Sequence, residues 1–241
     1  MCSSDLKRLL EAMGGFEIYL LRSNPANAKG PRELSSWQEA AKIKPDIALI
    51  TNPTAFHIDT AIKCAELGAH LFIEKPLDCS LKKISALRRL AGKNRLTAYV
   101  AYCLRFHPGI EEMKQIVERE GFWHAEARTS SWLPSWRPGK DYSATHTASR
   151  KLGGGAVLEL SHEIDYAQYV FGKIKRIDGA CSKTSKLKID AEDTADLTLR
   201  LENGKYVQAH LDFCSNKPPE RTLKVATAKA FYELDLVNHT L

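Results

Sequence analysis

The sequence predicts an α/β protein with a parallel sheet in its first part and a large, mostly antiparallel sheet in its second part. The parallel sheet follows from two short apolar segments, 45–50 and 70–73, that flank a segment of helical periodicity, since strand, helix and strand in this order form a βαβ unit. The antiparallel sheet follows from five strand-like segments after Gly172, two of which are joined by the hairpin sequence Glu202-Asn203-Gly204-Lys205.

The chain opens with a predicted helix over 6–13, a strand over 16–21 and a second helix over 34–43. Gly14-Gly15 suits the C-terminal turn of the first helix because glycine readily adopts the left-handed backbone. A dinucleotide-binding sheet instead opens with a strand and a Gly-x-Gly-x-x-Gly turn, which the sequence does not contain. We therefore expect that about 20 residues, the first strand and its phosphate-binding turn, are missing before Leu6.

The βαβ unit places polar residues after each of its strands. Its helix carries apolar residues at the spacing i, i+3, i+4, i+7 from Ile58 and ends at Gly68. Thr51-Asn52-Pro53 follows the first strand, and Glu74-Lys75-Pro76 follows the second. Ligands of open parallel sheets bind beyond the carboxyl ends of the strands, so both segments are candidate site residues. The proline at the end of the second segment restricts Lys75 to an extended conformation.

These segments resemble the Gfo/Idh/MocA family, which includes glucose-fructose oxidoreductase and inositol dehydrogenase. The matching residues are Thr51-Asn52-Pro53-Thr54-x-x-His57, Gly68-x-His70-x-x-x-Glu74-Lys75-Pro76-Leu77 and Gly153-Gly154-Gly155 followed by Glu159, His162 and Asp165. The resemblance covers about residues 7–236. It implies an incomplete Rossmann-type nucleotide-binding domain at 1–104 and an α+β substrate and oligomerisation domain at 105–241, whose closing elements are also expected to be missing.

The resemblance implies a nicotinamide cofactor bound by the first domain. The expected contacts are Arg22, Ser23, Thr51, Asn52, Pro53, His57, Glu74, Lys75 and Pro76. Arg22 and Ser23 follow the predicted strand over 16–21 and are a basic and a hydroxyl residue. They favour NADP over NAD, because such residues accommodate a 2′-phosphate on the ribose, whereas an acidic residue would bind the 2′-hydroxyl. A solvent-facing loop residue is the alternative for Arg22. A surface or capping residue is the alternative for His57.

A predicted helix over 156–171 carries the candidate catalytic residues. Glu159 and His162 lie three positions apart and are expected on one helix face, with Asp165 at its flank. Hydride transfer from an alcohol requires a base for the hydroxyl proton and a carboxylate that orients the imidazole. We therefore expect His162 to act as acid and base, Glu159 or Asp165 to orient it, and Lys75 to polarise the reacting oxygen. The family spacing is Asp-x-x-x-His, one residue longer than here, and a surface cluster of charged residues is the alternative.

Two further segments supply candidate substrate residues. Arg105 lies in Cys103-Leu104-Arg105-Phe106-His107-Pro108, which matches the family's crossover into the second domain except that Cys103 replaces the usual asparagine. Residues 133–152 show little periodicity, and long irregular loops in compact domains are often functional. Arg137 and Tyr142 in this loop suit a carboxylate, a phosphate or sugar hydroxyls. With His162, these residues form the expected substrate site.

Composition excludes several classes of function. The apolar content of 44%, the charged content of 27% and the net charge of +6 are ordinary for a globular protein. No dense Lys/Arg run with interleaved aromatics indicates nucleic-acid binding. No apolar stretch approaches the ~20 residues of a membrane span, and no secretory signal is visible. The six cysteines are scattered without metal-binding spacing, which predicts no metal site and reduced thiols in a cytoplasmic protein.

Together these observations predict an NAD(P)-dependent dehydrogenase or reductase that acts on CH–OH groups of a sugar, nucleotide sugar or cyclitol. We expect it to form a homo-oligomer through the antiparallel sheet. One alternative is a non-catalytic regulatory protein that senses cofactor or sugar on the same fold. A second alternative is an inert fragment, because a chain without the glycine turn lacks main-chain donors to the pyrophosphate.

Overall fold

The computed structural model of the protein describes residues 3–22, 24 and 32–241. The chain divides into two compact units, Met1–Val100 and Ala101–Leu241. This division falls a few residues before the domain boundary expected at residue 104. None of the helices in the described ranges is long and apolar enough to cross a membrane.

The first unit has a parallel sheet with helices between its strands. Its described elements are α1 (Ser3–Met13), β1 (Leu20–Leu21), β2 (Glu33–Leu34), α2 (Trp37–Ile43), β3 (Ile47–Ile50), α3 (His57–Glu66), β4 (His70–Ile73), α4 (Ile84–Lys93) and β5 (Ala98–Val100). Strands β3, β4 and β5 form one parallel sheet in that order, and β1 and β2 form a separate parallel pair. The predicted βαβ unit is therefore confirmed.

The apolar face of α3 explains why this unit folds around β3 and β4. Ile58 and Ala61 are buried and belong to the same core as Ile50 and Ile73 from the two strands. The helix ends where Gly68 adopts a positive φ of 85°, as its position predicts.

One predicted boundary in this unit is wrong, because the strand expected over 16–21 is confined to Leu20–Leu21. Before α4, the Ser80 hydroxyl accepts a hydrogen bond from the Lys82 N–H and so stabilises a separate turn, and the helix begins at Ile84. Short local hydrogen bonds of this kind compete with helix formation.

The second unit combines helices with a six-stranded sheet. Its helices and strands are α5 (Pro108–Glu120), β6 (His124–Ser130), α6 (Ala156–Glu159), α7 (His162–Phe171), β7 (Ile174–Ser182), β8 (Thr194–Leu201), β9 (Tyr206–Asp212), β10 (Glu220–Ala226) and β11 (Phe231–Asp235). Between β6 and α6 the backbone forms only short 3-10 turns, in the segment predicted to be an irregular loop.

The sheet order in this unit is β11-β10-β6-β9-β8-β7. All pairs are antiparallel except β6 with β9, so the large, mostly antiparallel sheet is confirmed. The five strands after Gly172 do not pair in one uninterrupted series, because β6, which comes much earlier in the chain, lies between β9 and β10. Alternating burial along β8, with Ala195, Leu197 and Leu199 buried, shows that one face of the sheet covers the core.

Candidate active site

Two loops leave the carboxyl edge of the parallel sheet side by side in the first unit. Ile50 at the end of β3 lies opposite Ile73 at the end of β4. Thr51-Asn52-Pro53 and Glu74-Lys75-Pro76 therefore begin at the same edge, and the Glu74 N–H donates to the Ile50 carbonyl oxygen at 2.9 Å. The structure brings together the two segments that the sequence predicts for cofactor binding. The peptide between Lys75 and Pro76 is cis.

His57 connects these two loops from inside the first unit. Its side chain is only 1% exposed. The ring Nδ1 lies 2.8 Å from the Pro76 carbonyl oxygen, and Nε2 lies 2.8 Å from the Asn52 carbonyl oxygen. The surface interpretation is therefore wrong. Because both ring nitrogens face main-chain acceptors, His57 fixes the two loops relative to each other instead of presenting a nitrogen to a ligand.

Two buried acceptor oxygens at this edge have no hydrogen-bond partner among the described residues. They are Asn52 Oδ1 and Glu74 Oε1. The other polar atoms of these side chains are used, since Asn52 Nδ2 donates to Thr60 Oγ1 at 2.8 Å and Glu74 Oε2 accepts from the Lys75 N–H at 3.3 Å. An unpaired buried acceptor costs about 1–3 kcal/mol. A ligand that carries N–H and O–H groups, such as the carboxamide and ribose of a nicotinamide nucleotide, fits both oxygens.

The residues predicted to contact the 2′ group of the cofactor's ribose follow β1. The Arg22 guanidinium forms an ion pair with Glu33, and the Arg22 N–H donates to the Leu34 carbonyl oxygen at 3.0 Å. Ser23 lies outside the described residues. A 2′-phosphate would therefore compete with the Glu33 carboxylate for Arg22.

In the second unit, His162 is the first residue of α7 and is 9% exposed. The Tyr102 ring contacts the imidazole edge to face, with 5.7 Å between the ring centroids and an interplanar angle of 84°. The Tyr102 hydroxyl donates to Ser161 Oγ at 3.4 Å. Burial raises the pKa of the Tyr102 hydroxyl, and the hydrogen bond to Ser161 opposes this shift. Tyr102 thus fixes both the imidazole and the residue before it.

Asp165 lies one turn along α7 and is paired with Arg105. The Arg105 Nε and Nη2 atoms lie 2.7 Å and 2.6 Å from the two Asp165 carboxylate oxygens. The Arg105 guanidinium also lies 5.5 Å from the centre of the Tyr169 ring, which comes one turn further along α7. Bidentate pairs of this kind are among the strongest in proteins. The two predicted site residues therefore fasten the turn at 103–106 to α7.

The continuous helix expected over 156–171 is wrong. Helix α6 ends at Glu159, Leu160 and Ser161 form a turn, and α7 begins at His162. Glu159 and His162 are therefore not on one continuous helix face. The Glu159 carboxylate lies beside His146, whose Nε2 is 3.2 Å from Glu159 Oε1.

The triple-glycine turn before α6 is required by close packing. A Cβ atom on Gly154 would collide with the Thr147 carbonyl oxygen, and one on Gly155 would collide with the Glu192 carboxylate. Gly155 also has a φ of 112°, which side-chain-bearing residues rarely adopt. The Gly155 N–H donates to the Thr147 carbonyl oxygen at 3.3 Å, which anchors the irregular loop to this turn.

The predicted substrate residues Arg137 and Tyr142 line one small pocket of the irregular loop. Its other lining residues are Leu133, Pro134, Trp136, Thr145 and Thr147. The Tyr142 hydroxyl accepts a hydrogen bond from the Lys188 N–H at 3.1 Å and keeps its own proton for a further acceptor.

Beneath α7, buried polar groups face β10. Glu163 is fully buried, and its Oε1 lies 2.8 Å from Arg221 Nε. Tyr166 is also fully buried, and burial together with the Glu163 charge raises the pKa of its hydroxyl well above the ordinary value. These side chains belong to the interior, so the residues beside His162 in the sequence anchor the helix.

Sequence reasoning missed Tyr102, Ser161 and His146 as neighbours of the candidate catalytic residues. Tyr102 follows β5, so the rule that ligands lie at the carboxyl ends of parallel strands could have identified it. No local pattern marks His146, because its contact with Glu159 depends on how the irregular loop folds.

Among the described residues, no group of three or more His, Cys, Asp or Glu side chains has a metal-binding arrangement.

Comparison with known proteins identifies both units. Residues 8–102 match a family model described as an oxidoreductase family with an NAD-binding Rossmann fold. Residues 112–233 match the model of the GFO/IDH/MocA C-terminal domain.

Individual relatives agree with these models. The uncharacterized oxidoreductase YrbE of Bacillus subtilis is 29% identical over 164 residues, which are 66% of this chain and 46% of that protein. Myo-inositol 2-dehydrogenase of Thermotoga maritima is 26% identical over 165 residues, which are 66% of this chain and 47% of that protein. The chain thus spans about half the length of these relatives.

A solved structure shows the same fold. The WlbA dehydrogenase of Chromobacterium violaceum, in complex with NADH and UDP-GlcNAcA, superposes with a TM-score of 0.80 at 20% identity. The match covers 91% of this chain and 66% of the WlbA chain. Because the family models cover most of the sequence, the chain belongs to the Gfo/Idh/MocA family of oxidoreductases.

Proposed function

We propose that the protein transfers a hydride between a nicotinamide cofactor and a CH–OH or carbonyl carbon of a sugar, nucleotide sugar or cyclitol. The observation that carries this proposal is the pair of buried acceptor oxygens, Asn52 Oδ1 and Glu74 Oε1, at the carboxyl edge of a parallel sheet. The relatives support it, since one is named as a myo-inositol dehydrogenase and WlbA binds NADH with a nucleotide sugar.

In this proposal the bound cofactor supplies the hydride acceptor or donor, and residues of the chain control the proton. His162 takes the hydroxyl proton during oxidation and returns it during reduction. The Lys75 ammonium donates a hydrogen bond to the reacting oxygen and stabilises negative charge there. Tyr102 holds the imidazole by its edge-to-face contact.

Other predicted residues take supporting roles. Asp165 and Arg105 hold the first turns of α7 in place through their bidentate pair. Arg105 therefore acts mainly as a positioning residue, and any contact with the substrate is secondary. Arg137 and Tyr142 bind the substrate in the irregular loop. Glu159 fixes the His146 side of that loop.

Three finer points remain predictions. Arg22 favours NADP only if a 2′-phosphate displaces Glu33 from its guanidinium, so the ratio of NADPH to NADH affinity in wild type and Arg22→Ala measures this preference.

The formation of a homo-oligomer through the antiparallel sheet is tested by size-exclusion chromatography with light scattering, which measures the mass of the particle. The proposed cytoplasmic location is measured by fractionating cells that express the chain.

The central test combines cofactor titration with turnover. Glu74→Leu is expected to weaken NADH binding about tenfold, because it removes a buried acceptor for the ligand. Glu66→Leu, a carboxylate at the end of α3 outside both loops, is the control and should bind as wild type does. His162→Ala is expected to lower kcat with myo-inositol or a related polyol at least ~100-fold, whereas His124→Ala on the exposed start of β6 should not. Equal NADH affinity in wild type and Glu74→Leu would contradict the proposed cofactor edge.

A further inference from the structure

The irregular loop of the second unit contains a pocket lined by apolar, hydroxyl and basic side chains. Its walls are the apolar surfaces of Leu133, Pro134, Trp136 and Tyr142, and its polar side chains are Arg137, Thr145, Thr147 and the Tyr142 hydroxyl. None of the described residues that line it carries a carboxylate. A pocket that offers one cation and several hydroxyl donors is suited to an acceptor-rich, negatively charged group.

Thr147 is the observation that points to a ligand. Its side chain is 1% exposed, and its Oγ1 atom has no hydrogen-bond partner within the described parts of the chain. Native proteins rarely leave a buried hydroxyl without a partner, so such a group calls for a water molecule or a ligand. The neighbouring Thr145 differs, because its hydroxyl donates to the Tyr142 carbonyl oxygen at 2.7 Å.

Arg137 supplies the charge at the exposed side of the same pocket. Within the described ranges its guanidinium has no ion-pair partner, whereas Arg105, Arg150 and Arg221 of the same unit each pair with a carboxylate. An exposed guanidinium beside an apolar wall can bind a carboxylate or a phosphate in a bidentate arrangement.

The pocket is joined to the candidate catalytic segment by one backbone hydrogen bond and one side-chain contact. The Thr147 carbonyl oxygen accepts from the Gly155 N–H at the start of α6, and His146 lies 3.2 Å from Glu159 at its end. A group bound by Thr147 and Arg137 would therefore contact the same loop that is anchored to the glycine turn before α6.

We propose that this pocket is an anion subsite that binds a carboxylate or phosphate substituent of the substrate through Arg137, the Tyr142 hydroxyl and the Thr147 hydroxyl. This proposal rests on the proposed function, since it concerns the substrate of the same reaction. It names the substrate class as acidic or phosphorylated sugars, in preference to neutral sugars and cyclitols. The aromatic walls contact the apolar face of the attached ring.

The test measures binding without nicotinamide, so that it is independent of cofactor affinity. D-glucuronate, glucose 6-phosphate and D-glucose are titrated against the full chain by ligand-observed NMR. At least one of the two anions is expected to bind about tenfold or more tightly than glucose, as one charge-assisted interaction permits. Glucuronate and glucose 6-phosphate separate a carboxylate subsite from a phosphate subsite.

Three variants identify the residues responsible. Arg137→Leu and Thr147→Val are expected to remove most of the preference for the anion, whereas Thr145→Val, the matched change at a hydroxyl that is already bonded, should keep it. Thr147→Val should also leave the melting temperature unchanged or raised, because it replaces an unpartnered hydroxyl by a methyl group of similar shape. Equal binding of all three sugars, or an anion preference that survives Arg137→Leu, overturns the proposal.

A buried water at Thr147 is distinguished by stability. In that case Thr147→Val would lower the melting temperature and leave the anion preference intact, which also overturns the proposal. Failure of NADH to bind, together with a retained anion preference, would refute the proposed oxidoreductase activity but not the subsite.

Discussion

The two units hold their candidate site residues in different ways. In the first unit these residues lie on loops at the edge of a three-stranded sheet, and the buried His57 binds the main chain of both loops. In the second unit they lie on a helix and a turn over a six-stranded sheet, and paired side chains such as Arg105 and Asp165 hold them. Loops lack regular backbone pairing and need a local hydrogen-bonding partner, whereas a helix is placed by its packed face.

The buried polar groups sharpen this contrast. The His57 ring in the first unit lies between two main-chain carbonyl oxygens, while Glu163 in the second unit faces a guanidinium. We therefore expect loss of a charge partner to be most damaging in the second unit, and loss of a main-chain clamp to be most damaging in the first.

The largest effect is expected from Arg221→Leu. Glu163 is 0% exposed, so removing the guanidinium that lies 2.8 Å away should lower the free energy of unfolding by about 3–5 kcal/mol. Urea unfolding followed by tryptophan fluorescence measures this change.

The control for this prediction lies on the same sheet. Arg128→Leu breaks the pair with Glu220, whose side chains are 35% and 41% exposed, and should cost less than about 1 kcal/mol. Similar losses for the two variants would show that burial of the pair is not what matters.

His57→Leu is expected to give the next largest effect, confined to the first unit. The variant removes the ring nitrogens that contact the Asn52 and Pro76 carbonyl oxygens, at a cost of about 2–4 kcal/mol. Hydrogen exchange measured by mass spectrometry should show faster exchange in the peptides that contain β3 and β4. His70→Leu, which loses one exposed hydrogen bond from the Thr97 N–H, should leave those peptides nearly unchanged. Uniform acceleration in both units would argue against a local clamp.

Alkaline pH should destabilise the first unit through Cys64. Burial raises the pKa of this thiol to about 11. Between about pH 9 and pH 11 the folded thiol stays protonated while the unfolded one ionises, so this contribution to stability is complete below the unfolded pKa and is lost as pH rises, by about 2–3 kcal/mol. Urea titrations at pH 7 and pH 10.5 should show a weaker pH dependence for Cys64→Ala than for wild type. Cys103→Ala, at an exposed position of the second unit, should retain the wild-type dependence.

The smallest effect is expected at Tyr102, which positions His162. Tyr102→Leu should lower kcat about tenfold with little change in KM, because it removes the edge-to-face contact that orients the imidazole. Tyr102→Phe keeps the ring and should stay within about threefold of wild type. Steady-state kinetics measures both, and an equal loss in the two variants would assign the effect to the hydroxyl and Ser161 instead.

Much of the fold could be predicted because its signals are local. The apolar spacing of α3, the apolar strands β3 and β4 and the hairpin before Lys205 depend on residues close in the sequence. The position of β6 could not be predicted in this way, because strand order in a sheet depends on contacts between segments far apart in the chain. The same applies to the break between α6 and α7, where Gly154, Gly155 and the loop around Thr147 determine the path of the backbone.

The same distinction between local sequence signals and long-range contacts applies to the candidate site. The sequence alone determined the family and the candidate residues Lys75, His162 and Asp165, because the motifs that carry the resemblance contain them and the family models cover both units. Only the tertiary structure decided their partners: His57 turned inward, Asp165 paired with Arg105, and Glu159 placed beside His146. Side-chain pairing depends on distances of a few ångströms between segments far apart in the chain, and such distances are set by packing rather than by local pattern.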